Sequence, residues 1–252
     1  MKYVIITGAS RGLGKATAEL LLDHGYHVIS VARSENEELA AKASEKGASL
    51  SHIQYDLSDT DGVAGLMNDV FQNIKTDQAE GIHLINNAGI LDPIKPIERS
   101  SAREIKLNIN VNLIAPMVMV SEFMKHAADL PAEKRIINIS SGAGRHPVYG
   151  WGGYGSSKAG LDLFSQTISV EQREKKFPVK SVSFAPGIID TDMQRQIRSA
   201  DKEDFADVER FKEYKEEKQL LPPEKVAEFL VYLIENESFP DGQATSVNEF
   251  LS

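Results

Sequence analysis

Short runs of β-branched and other apolar residues alternate along the chain with longer segments of helical periodicity. The runs lie at 2–7, 27–32, 50–55, 82–86, 135–140 and 179–185, with a last short one at 244–247. Most are apolar on both faces, which is typical of buried strands in a parallel sheet. The pattern therefore predicts seven parallel strands that are connected by helices.

Glycine and proline mark the ends of several predicted helices. The segment "GKATAELLLDHG" ends at Gly25, and "PPEKVAEFLVYLIEN" begins with Pro223 in its first turn. No repeat, linker or change of composition interrupts the alternation of strands and helices. We therefore expect residues 1–252 to form a single α/β domain, a Rossmann-like doubly wound sheet with helices on both faces.

Composition narrows the class of function. The net charge of −9 argues against nucleic-acid or membrane-surface partners, which favour basic patches. The absence of cysteine excludes disulfides and cysteine nucleophiles, and the six histidines show no metal-ligand spacing. No apolar run approaches the roughly 18 residues of a membrane span, and the apolar start is too short for a signal sequence. We expect a cytoplasmic protein without a metal.

The first strand leads into a glycine-rich turn, "TGASRGLG", and then into a helix. Gly8, Gly12 and Gly14 provide the tight turn, a close backbone approach to a pyrophosphate, and close packing of the helix on the strand. The helix N-terminus would then face the phosphates with unpaired N–H groups. A strand–turn–helix context of this kind predicts a dinucleotide site.

The end of the second strand indicates which dinucleotide is bound. Folds that bind NAD place a carboxylate there, but this chain has Ala32, followed by Arg33 and Ser34. A guanidinium suits the 2′-phosphate of NADP(H), and Arg11 in the glycine turn is placed to reach the same group. Each arginine alone is more often an exposed surface charge, whereas the two together favour NADP(H).

A tyrosine and a lysine share a helix face in "GWGGYGSSKAG". Tyr154 and Lys158 are four residues apart, and an ammonium about 5 Å from a phenol favours the phenolate by roughly 3 kcal/mol, or two pKa units. Such a pair suits proton transfer to a carbonyl oxygen. The same spacing in "YKEEK" carries no such meaning, because the glutamates around Tyr214 would raise its pKa.

Four motifs resemble those of the short-chain dehydrogenase/reductase family: "TGASRGLG", "NNAG" (86–89), the Ser–Tyr–x–x–x–Lys set and "PG" (186–187). The likeness covers essentially the whole chain. Within the family, the chain most resembles the branch that contains sepiapterin reductase and the Bacillus benzil reductases that form (S)-benzoin. This resemblance implies an NADPH-dependent carbonyl reductase. It also implies cofactor contacts from Gly8, Ser10, Arg11, Gly12, Leu13, Gly14, Arg33, Ser34, Asp56, Leu57, Asn87, Ala88, Gly89, Tyr154, Lys158, Pro186, Gly187, Ile189 and Thr191.

The resemblance also assigns catalytic roles. Tyr154 would donate the proton, and Lys158 would bind the nicotinamide ribose. Ser141, which lies 13 residues before Tyr154, matches the serine that polarises the carbonyl. Asn112 matches the asparagine that supports a proton relay and bends its helix, with Asn108 and Asn110 as rival candidates.

The loop between Ser141 and Tyr154 carries the aromatic residues Tyr149 and Trp151. With Met193 they would form a substrate pocket, which Ile90, Leu91 and Ile188 would extend under a helical lid at 201–218. Apolar walls favour a flat ketone over a sugar, and the resemblance points to a 1,2-diketone such as benzil. A packing role for Trp151 alone is the alternative.

Other functions and assemblies stay open. Sepiapterin is a rival substrate, for which Glu249 is the nearest candidate anchor, and another small carbonyl compound is possible. A non-enzymatic NADP(H) sensor would not need all four catalytic groups, and related epimerases are usually longer. Family members often pair through two long helices, here near 100–126 and 154–175, so we expect a homodimer or larger homo-oligomer.

Overall fold

Seven strands form one parallel sheet in the computed structural model, which describes residues 1–251. In chain order they are β1 (Lys2–Thr7), β2 (His27–Ala32), β3 (Leu50–Gln54), β4 (Gly81–Asn86), β5 (Glu133–Ile139), β6 (Lys180–Ala185) and β7 (Ala244–Ser246). Their order across the sheet is β3–β2–β1–β4–β5–β6–β7. Strand order reverses between β1 and β4, where the carboxyl ends of a doubly wound sheet open into a crevice.

Helices cover both faces of the sheet. They are α1 (Gly12–Asp23), α2 (Glu37–Lys46), α3 (Val63–Gln72), α4 (Ala102–Ile109), α5 (Ala115–Ala127), α6 (Gly152–Gln172), α7 (Asp192–Arg198), α8 (Val208–Glu216), α9 (Pro223–Glu235) and α10 (Asn248–Leu251). Helices α1, α2 and α9 pack on one face, and α3, α5 and α6 pack on the other. The predicted fold class is therefore confirmed.

Alternate residues of each central strand supply the two cores. On β1, Val4 belongs to the core under α1 and α9, whereas Ile5 belongs to the core under α3 and α5. Ile5 is aligned with Ile29 of β2 and with Leu84 of β4. Apolar runs without polar alternation are needed because both faces of these strands are buried.

Residues Ala102–Ala127 form one continuous helical run of 26 residues, in which the π-helical turn Asn110–Ile114 joins α4 to α5. By length and composition alone this run could cross a membrane, so the expectation that no segment approaches that length is wrong. Met119 and Phe123 of this run are fully buried in the core under α3, whereas Leu107 and Met117 are partly exposed. One face of the run therefore packs in the core of the domain.

The segment expected to form one lid helix at 201–218 is shorter and irregular at its start. Residues 201–207 form turns, and only Val208–Glu216 is helical. Phe205 is fully buried although it lies in the turn, and Val208 is buried beside it. Packing of these side chains, rather than a continuous helix, fixes this segment over the loop before α6.

Candidate active site

The glycine turn after β1 is too tight for side chains. Gly8 and Gly12 have φ values of +71° and +56°, which favour glycine. A Cβ atom added at Gly14 would lie 2.3 Å from the carbonyl oxygen of Gly8. The first turn of α1 therefore lies directly against the end of β1, and its free N–H groups face outward as a cradle for phosphate.

Thr7 and Asn87 tie the glycine turn to the end of β4. The amide nitrogen of Asn87 donates to the backbone oxygens of Thr7 and Gly8 over 2.9 and 3.2 Å. The hydroxyl oxygen of Thr7 accepts hydrogen bonds from the backbone N–H groups of Asn87 and Ala88. Sequence reasoning missed Thr7, which reads only as the last residue of a strand. Together the two side chains hold both walls of the crevice in place.

A cavity of about 1690 Å³ runs along the carboxyl ends of the strands from the glycine turn to α6. It is large enough for a dinucleotide and a small substrate together. Every residue that the sequence assigned to cofactor binding lines this cavity except Gly187. Gly187 instead turns the chain with φ +74°, and a Cβ atom there would lie 2.8 Å from Val247. The residues present thus fit a nicotinamide dinucleotide.

Two arginines at the adenosine end of the cavity differ in their surroundings. Arg33 is exposed and forms no ion pair with any residue in the described range 1–251. Arg11 pairs with Asp192, at the start of α7, over 3.1 Å. Arg33 therefore offers a guanidinium that no carboxylate of the described chain engages, whereas Arg11 also bridges the cavity.

Ser141 contacts Tyr154, which lines the inner end of the cavity, although Ser141 itself is not on the cavity wall. Tyr154 lies in the first turn of α6 and is 7% exposed, and Ser141 follows the end of β5. A hydrogen bond from Ser141 lowers the pKa of Tyr154, but burial has the larger effect and raises it. The neighbouring Ser140 instead donates to the backbone oxygen of Lys158, so the serine beside the phenol is Ser141.

Lys158 is buried one turn further along α6. Its Nζ donates to the backbone oxygen of Ile139 over 2.8 Å and lies 5.7 Å from the centre of the Tyr154 ring. Burial lowers the pKa of Lys158 to about 8. Burial raises the pKa of Tyr154 and the Ser141 hydrogen bond lowers it, so the lowering expected from Lys158 is not found.

Asn112 lies fully buried in the π-helical turn. Single π-helical turns within α-helices are frequent at functional sites. The amide of Asn112 donates to the backbone oxygen of Ile90 and to the Asn108 side chain over 2.7 and 3.0 Å. It also accepts from the N–H of Ile90 over 2.9 Å. Asn108 in turn donates to the backbone oxygens that follow β4, of which Asp92 is the nearest at 2.7 Å. Both asparagines therefore shape the segment after "NNAG".

Asn112 is not on the cavity wall itself. A Cβ atom added at Gly89 would lie 3.2 Å from its side-chain oxygen and 3.7 Å from Nζ of Lys158. Gly89 is thus the spacer that allows an amide and an ammonium to come close behind the cavity. Asn110 is less buried and is the weaker candidate of the three asparagines.

The substrate pocket differs from the one expected. Ile90, Leu91 and Met193 line the cavity, but Tyr149, Trp151 and Ile188 do not. Tyr149 is 52% exposed, since Gly150 with φ +78° turns the loop outward. The wall also holds charged residues of the segment after β6 and of the lid: Asp190, Asp192, Arg195, Arg198 and Lys215.

Trp151 supports the pocket from behind. Its ring stacks on Phe205 with centroids 5.2 Å apart and meets the edge of Tyr154 at 5.6 Å. The ring nitrogen has no hydrogen-bond partner within the described part of the chain. Trp151 therefore anchors the lid segment to the loop before α6, as the packing alternative predicts, and does not form a wall.

Metal-binding geometry is not found in this region. Among residues 1–251, no group of three or more histidine or acidic side chains is arranged to hold a metal ion. The chemistry of the site rests on the phenol, the ammonium and the hydroxyl. A dinucleotide-sized cavity that ends at such a group defines an oxidoreductase that acts on CH–OH and C=O groups with a nicotinamide cofactor.

Comparison with known proteins identifies the family. Residues 2–202 match the family model described as short chain dehydrogenase. Benzil reductase ((S)-benzoin forming) of Bacillus cereus is 46% identical over 99% of this chain and its own full length. The enzyme of the same name from Bacillus subtilis is 38% identical over both full chains. The solved structure "ElxO with NADP Bound" is 26% identical, with a TM-score of 0.79 over 98% of this chain and 96% of that one. The chain belongs to the short-chain dehydrogenase family.

Proposed function

We propose that the protein is an NADPH-dependent reductase that converts one carbonyl of an apolar 1,2-diketone, such as benzil, into the alcohol of (S)-benzoin. The observation that carries the proposal is the contact of Ser141 with Tyr154, which lines the same cavity as apolar Leu91 and Met193. The full-length similarity to two benzil reductases supports the choice of substrate.

The site residues act on the carbonyl oxygen. Ser141 holds that oxygen by a hydrogen bond, and Tyr154 gives its phenolic proton to it as the carbonyl carbon is reduced. The raised pKa of Tyr154 keeps the proton on the phenol at neutral pH, which suits a donor. The bound nicotinamide cofactor supplies the hydride. Lys158 binds the ribose hydroxyls and returns a proton toward Tyr154, and Asn112 holds the adjoining segment after β4.

Arg33 supports NADPH as the preferred cofactor. Its guanidinium follows β2, where NAD-binding proteins have a carboxylate, and it lines the cavity without an ion-pair partner in residues 1–251. A 2′-phosphate would supply the partner. The similarity to a structure whose name includes bound NADP agrees with this choice.

A homodimer is the proposed assembly. Leu163 and Val170, on the outer face of α6, are 65% and 56% exposed, and Leu107 and Met117 on the adjacent helical run are 43% and 36% exposed. An apolar stripe of this kind on two neighbouring helices is typical of a self-association surface. We place the protein in the cytoplasm, as its charge and lack of cysteine suggest.

NADPH oxidation with benzil, followed by chiral analysis of the benzoin, tests the substrate. The expected result is turnover with NADPH and an excess of the S enantiomer. Sepiapterin is the matched rival substrate. Glu249 accepts a hydrogen bond from the N–H of Ser246 and does not line the cavity, so the anchor expected for a pterin is not in place. Good turnover of sepiapterin without turnover of benzil would overturn the proposal.

A further inference from the structure

An ion pair lies behind the catalytic helix. Nε of Arg145 is 3.5 Å from the Asp162 carboxylate, and their side chains are 32% and 10% exposed. Arg145 also donates through Nη2 to the backbone oxygen of Thr245 in β7 over 3.0 Å. Asp162 accepts a hydrogen bond from the hydroxyl of Ser183 in β6. The pair thus joins a loop, α6 and two strands.

Each member of the pair is a near neighbour of a residue in the proposed reaction. Arg145 ends the short turn that begins at Ser141, and Asp162 lies one helical turn after Lys158. Side chains four residues apart on a helix are neighbours on one face. The pair therefore connects the segment that carries the serine to the helix that carries the tyrosine and the lysine.

Two glycines bring this loop into contact with α6. A Cβ atom added at Gly144 would lie 2.9 Å from the backbone nitrogen of Ala159, and one at Gly155 would lie 2.9 Å from the backbone oxygen of Ala143. Ser141 lies on this loop and Tyr154 lies on α6. A small shift of the loop along α6 would therefore move Ser141 relative to Tyr154. The Arg145–Asp162 ion pair is the charged contact that fixes the position of the loop relative to α6.

One member of the pair, Asp162, also acts on Lys158. Asp162 raises the pKa of Lys158, against the larger lowering by burial. Three neutral groups also face Lys158: Tyr154 on its own helix, the Ile139 carbonyl of β5, and Asn112 across Gly89. Arg145 carries the opposite charge to Asp162 and pairs with it over 3.5 Å.

We propose that Arg145 and Asp162 are positioning residues for the reduction: they hold Ser141 against Tyr154, and their opposed charges act in opposite directions on the Tyr154–Lys158 pair. The inference rests on the proposed function, because it assigns the proton donor to Tyr154. A pair with a purely structural role would also hold Ser141 against Tyr154, but its charges would not affect the protonation of Tyr154 and Lys158.

The test compares kcat/KM against pH for benzil reduction in Asp162→Asn and Arg145→Met. Loss of the carboxylate makes both Tyr154 and Lys158 lose their protons more readily. The decrease of kcat/KM at alkaline pH, the alkaline limb of the profile, therefore moves to lower pH. Loss of the guanidinium moves it to higher pH. Each shift is expected to be roughly 0.5–1 pH unit, with a decrease in kcat of about tenfold and little change in the KM for NADPH.

Matched variants make the result specific. Arg173→Met removes one cation just beyond the end of α6 and should leave the limb in place. Arg145→Lys keeps the charge and should restore the wild-type limb. If Asp162→Asn does not fold, Arg145→Met decides alone, since its side chain is partly exposed. Limbs that stay unmoved, or that move in the same direction, overturn the inference while an inactive Tyr154→Phe leaves the proposed function intact.

Discussion

Lys158 donates a hydrogen bond from its buried ammonium group to the backbone oxygen of Ile139 over 2.8 Å, at the point where β5 ends. A cation is thus held at the carboxyl edge of the sheet by a carbonyl dipole, and no carboxylate among residues 1–251 forms an ion pair with it. Burial lowers its pKa to about 8, so it is mostly protonated at neutral pH. The site therefore combines a protonated phenol with a charged ammonium, and this combination makes the following predictions possible.

Tyr154→Phe should reduce kcat for diketone reduction on the order of 100-fold or more, because it removes a positioned proton donor and leaves the ring packing intact. The measurement is steady-state NADPH oxidation, with NADPH binding checked by fluorescence. Tyr149→Phe and Tyr214→Phe are the controls. Tyr149 is exposed outside the cavity, and Tyr214 packs on Phe211 in α8, so both variants should retain most of their activity. Near-normal turnover of Tyr154→Phe would contradict the mechanism.

Arg33→Ala should weaken NADPH binding about tenfold to 100-fold and leave NADH binding nearly unchanged. The reason is the loss of charge-assisted hydrogen bonds worth about 1.5–3 kcal/mol to the 2′-phosphate. Dissociation constants for both cofactors, measured by titration, provide the comparison. Arg11→Ala should change the ratio of NADPH to NADH affinity less than Arg33→Ala does, since Arg11 is already paired with Asp192. An equal loss for NADPH and NADH in Arg33→Ala would show that this residue does not distinguish them.

Leu163→Glu should convert the protein from a dimer into a monomer at micromolar concentration. A charge in the middle of an apolar contact surface is costly to bury, and Leu163 is 65% exposed in the single chain. Sedimentation velocity measures the change of mass directly. Ile97→Glu is the control, because Ile97 is also exposed, at 57%, but lies in the segment before α4. A wild-type chain that sediments as a monomer would refute the proposed assembly.

His83, which is buried on β4, should make the protein less stable in acid. Burial lowers its pKa to about 3, whereas the unfolded chain binds a proton near pH 6.5. Between these values only the unfolded state gains the proton, so stability decreases as pH falls, by about 1.4 kcal/mol per unit. Urea unfolding at pH 6 and pH 4 should show an acid loss about 2–3 kcal/mol larger in wild type than in His83→Leu.

The control for this effect is His146→Gln, since His146 is exposed and its replacement should leave the acid loss unchanged. The comparison uses the difference between two pH values, so the cost of cavity formation in His83→Leu cancels. Equal acid losses in wild type and His83→Leu would rule out His83 as the source.

The features that the sequence predicts well are local ones. The strand–glycine–helix start and the Tyr154–Lys158 spacing each lie within about 20 residues, where backbone geometry alone places side chains on one face. Strand positions were predicted to within one or two residues because buried parallel strands have a strong apolar signal. The lid at 201–218 was less well predicted, since the burial of Phe205 depends on Trp151, more than 50 residues earlier in the chain.

The features that the sequence does not reveal depend on distant partners. Thr7 gains its role from Asn87, and Arg145 from Asp162 and Thr245. Nothing near Trp151 in the sequence indicates whether its ring faces the substrate or Phe205. The pKa of Tyr154 likewise depends on burial by surrounding elements, which outweighs the hydrogen bond from Ser141. Long-range packing decides each of these outcomes.

The bond from Arg145 to Thr245 has a consequence for synthesis of the chain and for its engineering. At about 5–20 residues per second, a ribosome needs on the order of ten seconds after Asp162 to reach residue 245, so the loop beside Tyr154 lacks this anchor until translation is nearly complete. A truncation before β7 removes this anchor and should therefore inactivate the enzyme, although every proposed catalytic residue is retained.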